Sequence, residues 1–322
     1  MTLETYITNN IEEIGETAWN AVSAGQSFQS YNWYRFGEKV MGNSRPPHVI
    51  ISENGQVIAR ASFWRIDNES LATGLIATLI KRWPLLICRS PLFVAAPGWI
   101  LPNPVRVDVL NEIVRMGRNL RRQEKCSLLL FDGLDAATAH IIPHAFRYSF
   151  GMPGTFLDAR ELQNFDQYVA SLPYNARKDL RRHLRKIEEC GITVTRHSTV
   201  PDLDEAENLY RKLEAHKGSE RNPWIREMLA NISMVHGTWF SARDARGQLL
   251  GGLTSYEDNG GQYVTQMARD TAPYAYFALV YESIRLGLEH NLHTLYWGTH
   301  SYSLKKRMGC SIIENDSVAI LF

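Results

Sequence analysis

Apolar positions along this chain alternate between two periods, and the same succession of periods occurs twice. HVIISENGQVIARASFWRI reads as two strands around a turn at Glu53-Asn54-Gly55, and TWFSARDARGQLLGGLTSYE as two strands around Asp244-Ala245-Arg246-Gly247. Each turn ends in Gly-Gln, with an apolar pair next, Val57-Ile58 or Leu249-Leu250. Glycine suits such turns because it reaches positive φ without steric cost. Downstream, VDVLNEIVRMGRNLRRQEKCSLLLFDG and FALVYESIRLGLEHNLHTLYWG each carry apolar residues at helical spacing, then a buried strand, then Gly133 or Gly298. Hairpin, helix and strand recur in one order, so the pattern predicts an internal duplication. The expected fold class is α/β (α+β), with two tandem lobes, each a mixed twisted sheet flanked by helices. The break is expected near Tyr148–Pro153, giving lobes at 1–150 and 151–322.

Composition is consistent with two buried cores. The 322 residues are 44% hydrophobic and 11% aromatic, which excludes a disordered chain. Lys+Arg 35 against Asp+Glu 34 leaves a net charge of +1, too near neutral for a bulk nucleic-acid binder. Any polyanion contact is therefore local, and no DNA partner is expected. Cys88, Cys126, Cys190 and Cys310 are far apart in sequence, which fits a reducing compartment better than a disulfide framework or a zinc site. The opening MTLETYITNNIEEIGE has no basic segment followed by an apolar one, so a cytoplasmic location without a secretory signal is expected. Leu71–Ile80 is about half the ~20 apolar residues a spanning helix needs, and reads as a buried core segment, although Lys81, Arg82 and Trp83 beside it would suit a membrane surface.

The most distinctive segment is YVASLPYNARKDLRRHLRKIEECGITV. Leu180, Leu184 and Ile187 make an apolar stripe, Arg177, Arg181 and Arg185 a second row, and Lys178, Arg182 and Lys186 a third. Asn175 is the expected N-cap and Gly191 the C-terminal stop. Like charges one turn apart cost a few tenths of a kcal/mol per pair. Glu188 and Glu189 offset only part of this, at the helix end where the dipole disfavours them. A solvated face and a phosphate-binding face both fit such a run, since guanidinium forks grip phosphate oxygens.

This segment resembles the one that opens the second domain of FemABX-like transferases, which belong to the wider GNAT superfamily. YWGTHSYSLKKRMGC resembles their closing motif, with Leu304, Lys305, Met308 and Gly309 at the matching positions. The resemblance runs from Phe156 to Gly309; in the first half it covers FQSYNWYRF and the following hairpin. It implies two GNAT-like lobes, the first degenerate and the second carrying the transferase activity. The implied reaction is attack by an acceptor amine on an activated acyl group, forming an amide. It further implies that Lys305 stabilises developing negative charge and that Tyr302 protonates the leaving group; the scattered His and Cys residues give no metal site to expect.

CoA-using GNAT domains carry an R/Q-x-x-G-x-G/A loop whose N–H groups cradle the pyrophosphate at a helix N-terminus. Here Gln266 and Arg269 are followed by Asp270-Thr271-Ala272-Pro273-Tyr274-Ala275, with no glycine. Two donors remain open, an acyl-CoA or carrier thioester, slightly favoured, and an aminoacyl-tRNA that needs no such loop. In the second case the acceptor would be a small molecule or a peptidoglycan precursor. The expected donor phosphate contacts are Arg177, Lys178, Arg181, Arg182, Arg185, Gln266 and Arg269, with the donor as co-substrate and no tightly bound cofactor. A non-catalytic binding protein is the third reading. His290 and His293 flank a helix–strand turn with no carboxylate near in sequence, and Glu257-Asp258 read as the start of a hairpin turn. Hydrolase elbows, P-loops and dinucleotide fingerprints do not occur.

Overall fold

The computed structural model describes residues 3–321, apart from 24, 43–44, 68–73, 93–95, 135, 143–144, 150–152, 218–220, 270–271, 300 and 314–316. At 74–77, 136, 147–149, 217, 266, 268–269 and 317–321 it describes the backbone only. The chain runs β1 (Leu3–Thr8), α1 (Glu16–Ser23), α2 (Tyr31–Val40), β2 (His48–Glu53), β3 (Gln56–Ile66), α3 (Gly74–Arg82), β4 (Leu85–Cys88) and β5 (Trp99–Ile100). It continues through α4 (Val107–Gln123), β6 (Leu128–Leu134), α5 (Ala136–Ile141), β7 (Phe146–Ser149), β8 (Thr155–Asp158), α6 (Phe165–Ser171), α7 (Tyr174–Glu189) and β9 (Thr193–His197). Then come α8 (Leu203–Lys217), α9 (Ile225–Ala230), β10 (Thr238–Arg243), β11 (Leu249–Asp258), β12 (Gly261–Arg269) and α10 (Pro273–Glu289). The last elements are β13 (Thr294–Tyr296), α11 (Tyr302–Arg307), β14 (Ser311–Ile312) and β15 (Ser317–Leu321).

Two compact units result, Met1–Pro153 with Glu314–Phe322, and Gly154–Ile313. The last strand is the departure from the sequence boundary. β15 pairs with β6 and β7 and so completes the first unit's sheet, ordered β1-β2-β3-β4-β6-β15-β7 with β5 on β3. No local signal reveals this, because strand pairing is a long-range choice. Val49, Ile51, Ala59, Ala61 and Phe63 share a core with Val109, Ile113 and Leu120 of α4. Period-2 strands and a helix with an apolar stripe supply complementary faces. Asn54 and Gly55 both have positive φ, +51° and +75°, as the tight hairpin requires.

The second unit's sheet is ordered β14-β8-β13-β12-β11-β10-β9. Strands β9 to β12 pair antiparallel, while β13 joins β12 in parallel after the crossover through α10. α10 starts with Pro273, which suits a first helical turn, and buries residues all round its circumference. Its Leu279 and Ile284 share the core with Leu157, Phe240, Leu253 and Leu295 from the sheet.

Two local expectations change. Pro173, not Asn175, occupies the N-cap position of α7; its φ of −56° starts the helix at Tyr174 without a side-chain cap. The other end is as expected: Gly191 has φ +61°, and Ile192 N–H closes back on the Ile187 carbonyl. Of the expected buried segment Leu71–Ile80, residues 71–73 and the side chains of 74–77 lie outside the described residues, and Leu79 is 41% exposed. Among the described residues no helix is long and apolar enough to cross a membrane.

Candidate functional site

The second unit contains a break in its sheet. β12 and β13 pair only over Gly261–Tyr263 and Thr294–Tyr296. Beyond that point β12 continues along β11 to Arg269, whereas the chain leaving β13 stays with β8 through Trp297 N–H to the Thr155 carbonyl, 2.8 Å. The strands therefore part, and among the described residues a Cβ added at Gly298 would meet nothing within 4 Å. The first unit repeats the topology in β4, α4 and β6, with β4 and β6 parallel over Leu85–Cys88 and Leu128–Phe131. There the chain folds back: a Cβ on Gly133 would lie 2.6 Å from the Ala96 carbonyl carbon. The same glycine position is open in one unit and filled in the other.

Lys305 holds the chain that leaves β13. It is 6% exposed, and its Nζ donates to the carbonyls of Trp297, of Gly298 at 3.1 Å and of Thr299 at 3.0 Å. The Gly298 carbonyl also accepts from the Thr155 N–H at 3.0 Å and Oγ1 at 2.9 Å. An ammonium has three N–H donors, so Lys305 has none left for a reacting group in this arrangement. Burial pushes Lys305 down to about 8, while three carbonyl oxygens favour its charged form. Tyr302, half-buried, opens α11 one turn earlier, just after Ser301 in the left-handed region at φ +53°.

The two motifs singled out in the sequence meet on the other side of α11. Leu304, Arg307 and Met308 line a pocket of about 120 Å³ together with Asp179, Leu180, Arg182 and His183 of α7 and Phe277 and Tyr281 of α10. Arg182 pairs with Asp179 at 3.0 Å, and Arg307 approaches the same carboxylate at 4.0 Å. His183 stacks on Phe277 with ring centroids 3.7 Å apart, and its Nδ1 lies 2.8 Å from the Tyr281 hydroxyl. Burial first, then the Arg182 charge, lowers the His183 pKa, so the imidazole is neutral at pH 7.

Of the other predicted phosphate ligands, Lys178, Arg181 and Arg185 are exposed on α7. Arg177 donates its Nη1 to the Ala170 carbonyl at 2.9 Å. Gln266 and Arg269 lie on β12, but their side chains, like residues 270–271, fall outside the described residues. Asp179, His183, Tyr281 and Arg307 escaped the sequence reading. The signal was present for His183, three positions from Leu180 on the apolar side of α7. Glu257 reaches His290 Nδ1 at 2.9 Å, a partner 33 positions away that local sequence does not reveal. The hairpin turn after Glu257-Asp258 has Asn259 and Gly260 at φ +44° and +75°. Among the described residues, no group of three or more His, Cys, Asp or Glu is placed to hold a metal.

Residues 174–306, from α7 to α11, match the family model of the acetyltransferase (GNAT) domain. The whole chain is similar in fold to FemX, with a TM-score of 0.66 over 99% of this chain and 97% of that one at 12% identity. It is also similar to a tandem GNAT protein from the clavulanic acid biosynthesis pathway, TM-score 0.57, covering 99% and 98% of the two chains at 12% identity. L-PGS from Bacillus licheniformis gives 0.53, covering 82% and 81% at 11% identity. No curated protein matches the sequence. The matched segment lies within the unit whose strands part, and the fold resembles that of the tandem GNAT protein and FemX.

Proposed function

We propose that this chain is an N-acyltransferase whose second unit joins an acyl group to an acceptor amine, with an acyl thioester as donor. The observation that carries this reading is the contrast between open Gly298 and filled Gly133, within a chain whose GNAT match covers the open side. In the proposed step the amine lone pair attacks the thioester carbonyl carbon and forms the C–N bond. The carbonyl electrons move to oxygen, then return as the C–S bond breaks with its electron pair on sulfur. The amine releases one proton to solvent, and the thiolate gains one from Tyr302, which is reprotonated by solvent. Phosphate groups of the donor are assigned to Arg182 of α7 and Arg307 of α11, which share the Asp179 carboxylate beside the pocket. The acyl donor arrives as co-substrate, with no tightly bound cofactor.

An aminoacyl-tRNA donor is the second reading, favoured by exposed Lys178, Arg181 and Arg185 on one helix. The net charge of +1 weighs against it, since tRNA affinity rests on several phosphate contacts. The test is a donor screen on the purified full chain, with acetyl-CoA, longer acyl-CoAs and charged bulk tRNA, against a panel of amines. Amide product from a CoA thioester, resistant to RNase, is the expected result. RNase-sensitive product would transfer the assignment to tRNA, and ligand binding without product from any donor would favour a non-catalytic role.

A further inference from the structure

Each peptide plane points its C=O and N–H in opposite directions. The carbonyls of Trp297, Gly298 and Thr299 all converge on the Lys305 ammonium. The N–H groups that share planes with the first two, those of Gly298 and Thr299, must therefore point away from it. Neither finds an acceptor among the described residues, while the Trp297 N–H one step earlier is bound to Thr155. Among the described residues, nothing lies within 4 Å of a Cβ built on Gly298. A loop with two free backbone donors beside open space, at the point where two strands part, has the chemistry to bind an acyl oxygen.

From this arrangement we infer that Lys305 is a positioning residue. It acts through the backbone of Trp297–Thr299, presenting the Gly298 and Thr299 N–H groups to the acyl carbonyl oxygen, and does not itself touch the reacting atoms. This rests on the N-acyltransferase reading of the same site. It differs from the role implied by resemblance, in which the lysine meets the developing charge directly. Thr155 serves the same end from β8, because its N–H and Oγ1 bind the Gly298 carbonyl that Lys305 also holds. Being 1% exposed, Thr155 has no contact with substrate to lose.

Three variants separate the roles: Lys305→Met, Lys305→Arg and Thr155→Val. The two readouts are steady-state transfer from a CoA thioester and hydrogen exchange of a peptide covering residues 294–304. Lys305→Met should lower kcat by about 100-fold, the size expected when an oxyanion donor is misplaced. Thr155→Val should lower kcat by about 3- to 10-fold with the donor KM unchanged, since a contact made mainly in the transition state is what loosens. Lys305→Arg should not rescue, because a planar fork cannot meet three converging carbonyls. Exchange in the peptide should quicken in Lys305→Met and Thr155→Val. Normal kcat in Thr155→Val, or rescue by arginine, would return Lys305 to direct contact with the reacting atoms. If wild-type protein transfers from no donor, the activity reading fails while exchange still tests the clamp. Exchange unchanged in Lys305→Met would then overturn it.

Discussion

At the scale of single residues, the side chains that matter most here are tied to groups far away in sequence. Glu207 is the clearest case outside the site. Its carboxylate accepts from Arg226 at 2.9 Å, Arg211 at 2.9 Å and Arg221 at 3.1 Å. These bonds, Arg226 foremost, hold its pKa down to about 2 against an ordinary 4.5. A depressed carboxylate contributes stability that is fully present above its unfolded pKa and lost as pH falls through the folded value. Glu207→Gln should therefore cost about 1–2 kcal/mol at pH 7, discounted because Arg221 and Arg226 are well exposed. The Tm difference from wild type should shrink between pH 4.5 and pH 2. An equal difference at pH 7 and pH 2 would show that the loss is steric. Lys305 was legible as a residue of interest through its motif, but its partners were not. Three backbone carbonyls leave no trace in side-chain identity.

At the scale of elements, hairpins and helices were the legible part. Asn54-Gly55 and Asn259-Gly260 write their turn geometry in residue type, and Gly191 writes the end of α7. The parting of β12 and β13 was not legible, because it depends on which residues stay unpaired across a crossover. The missing glycine cradle was plain in the sequence, whereas the filling of the first unit's gap by Ala96 was not. α7 divides into two faces with separate predictions. Arg182→Ala with Arg307→Ala should raise the donor KM by about 10-fold or more, as two charge-assisted phosphate contacts of roughly 1 kcal/mol or more each are lost. Arg181→Ala with Arg185→Ala should leave transfer from a small thioester near wild type. If the second pair instead produced the larger, salt-dependent loss, the exposed row would be the phosphate surface.

At the scale of the whole molecule, the duplicated order predicted two lobes, and the chain does form two units. The strand that returns to complete the first sheet is the exception. Deleting residues 314–322 removes β15 from between β6 and β7 and leaves β6 with an open edge. The expected outcome is a lower Tm and aggregation, with fast exchange in β6 and unchanged protection in β10–β12. Uniform loss of protection throughout the chain would show instead that the two units unfold together. Acyl transfer is proposed for the gap in the second unit, and hydrogen exchange with and without a non-hydrolysable acyl-CoA analogue is the decisive measurement. Added protection is expected at residues 263–269 and 296–304, with none at 128–134. Protection at 128–134 alone, or at neither segment while transfer proceeds, would contradict that assignment.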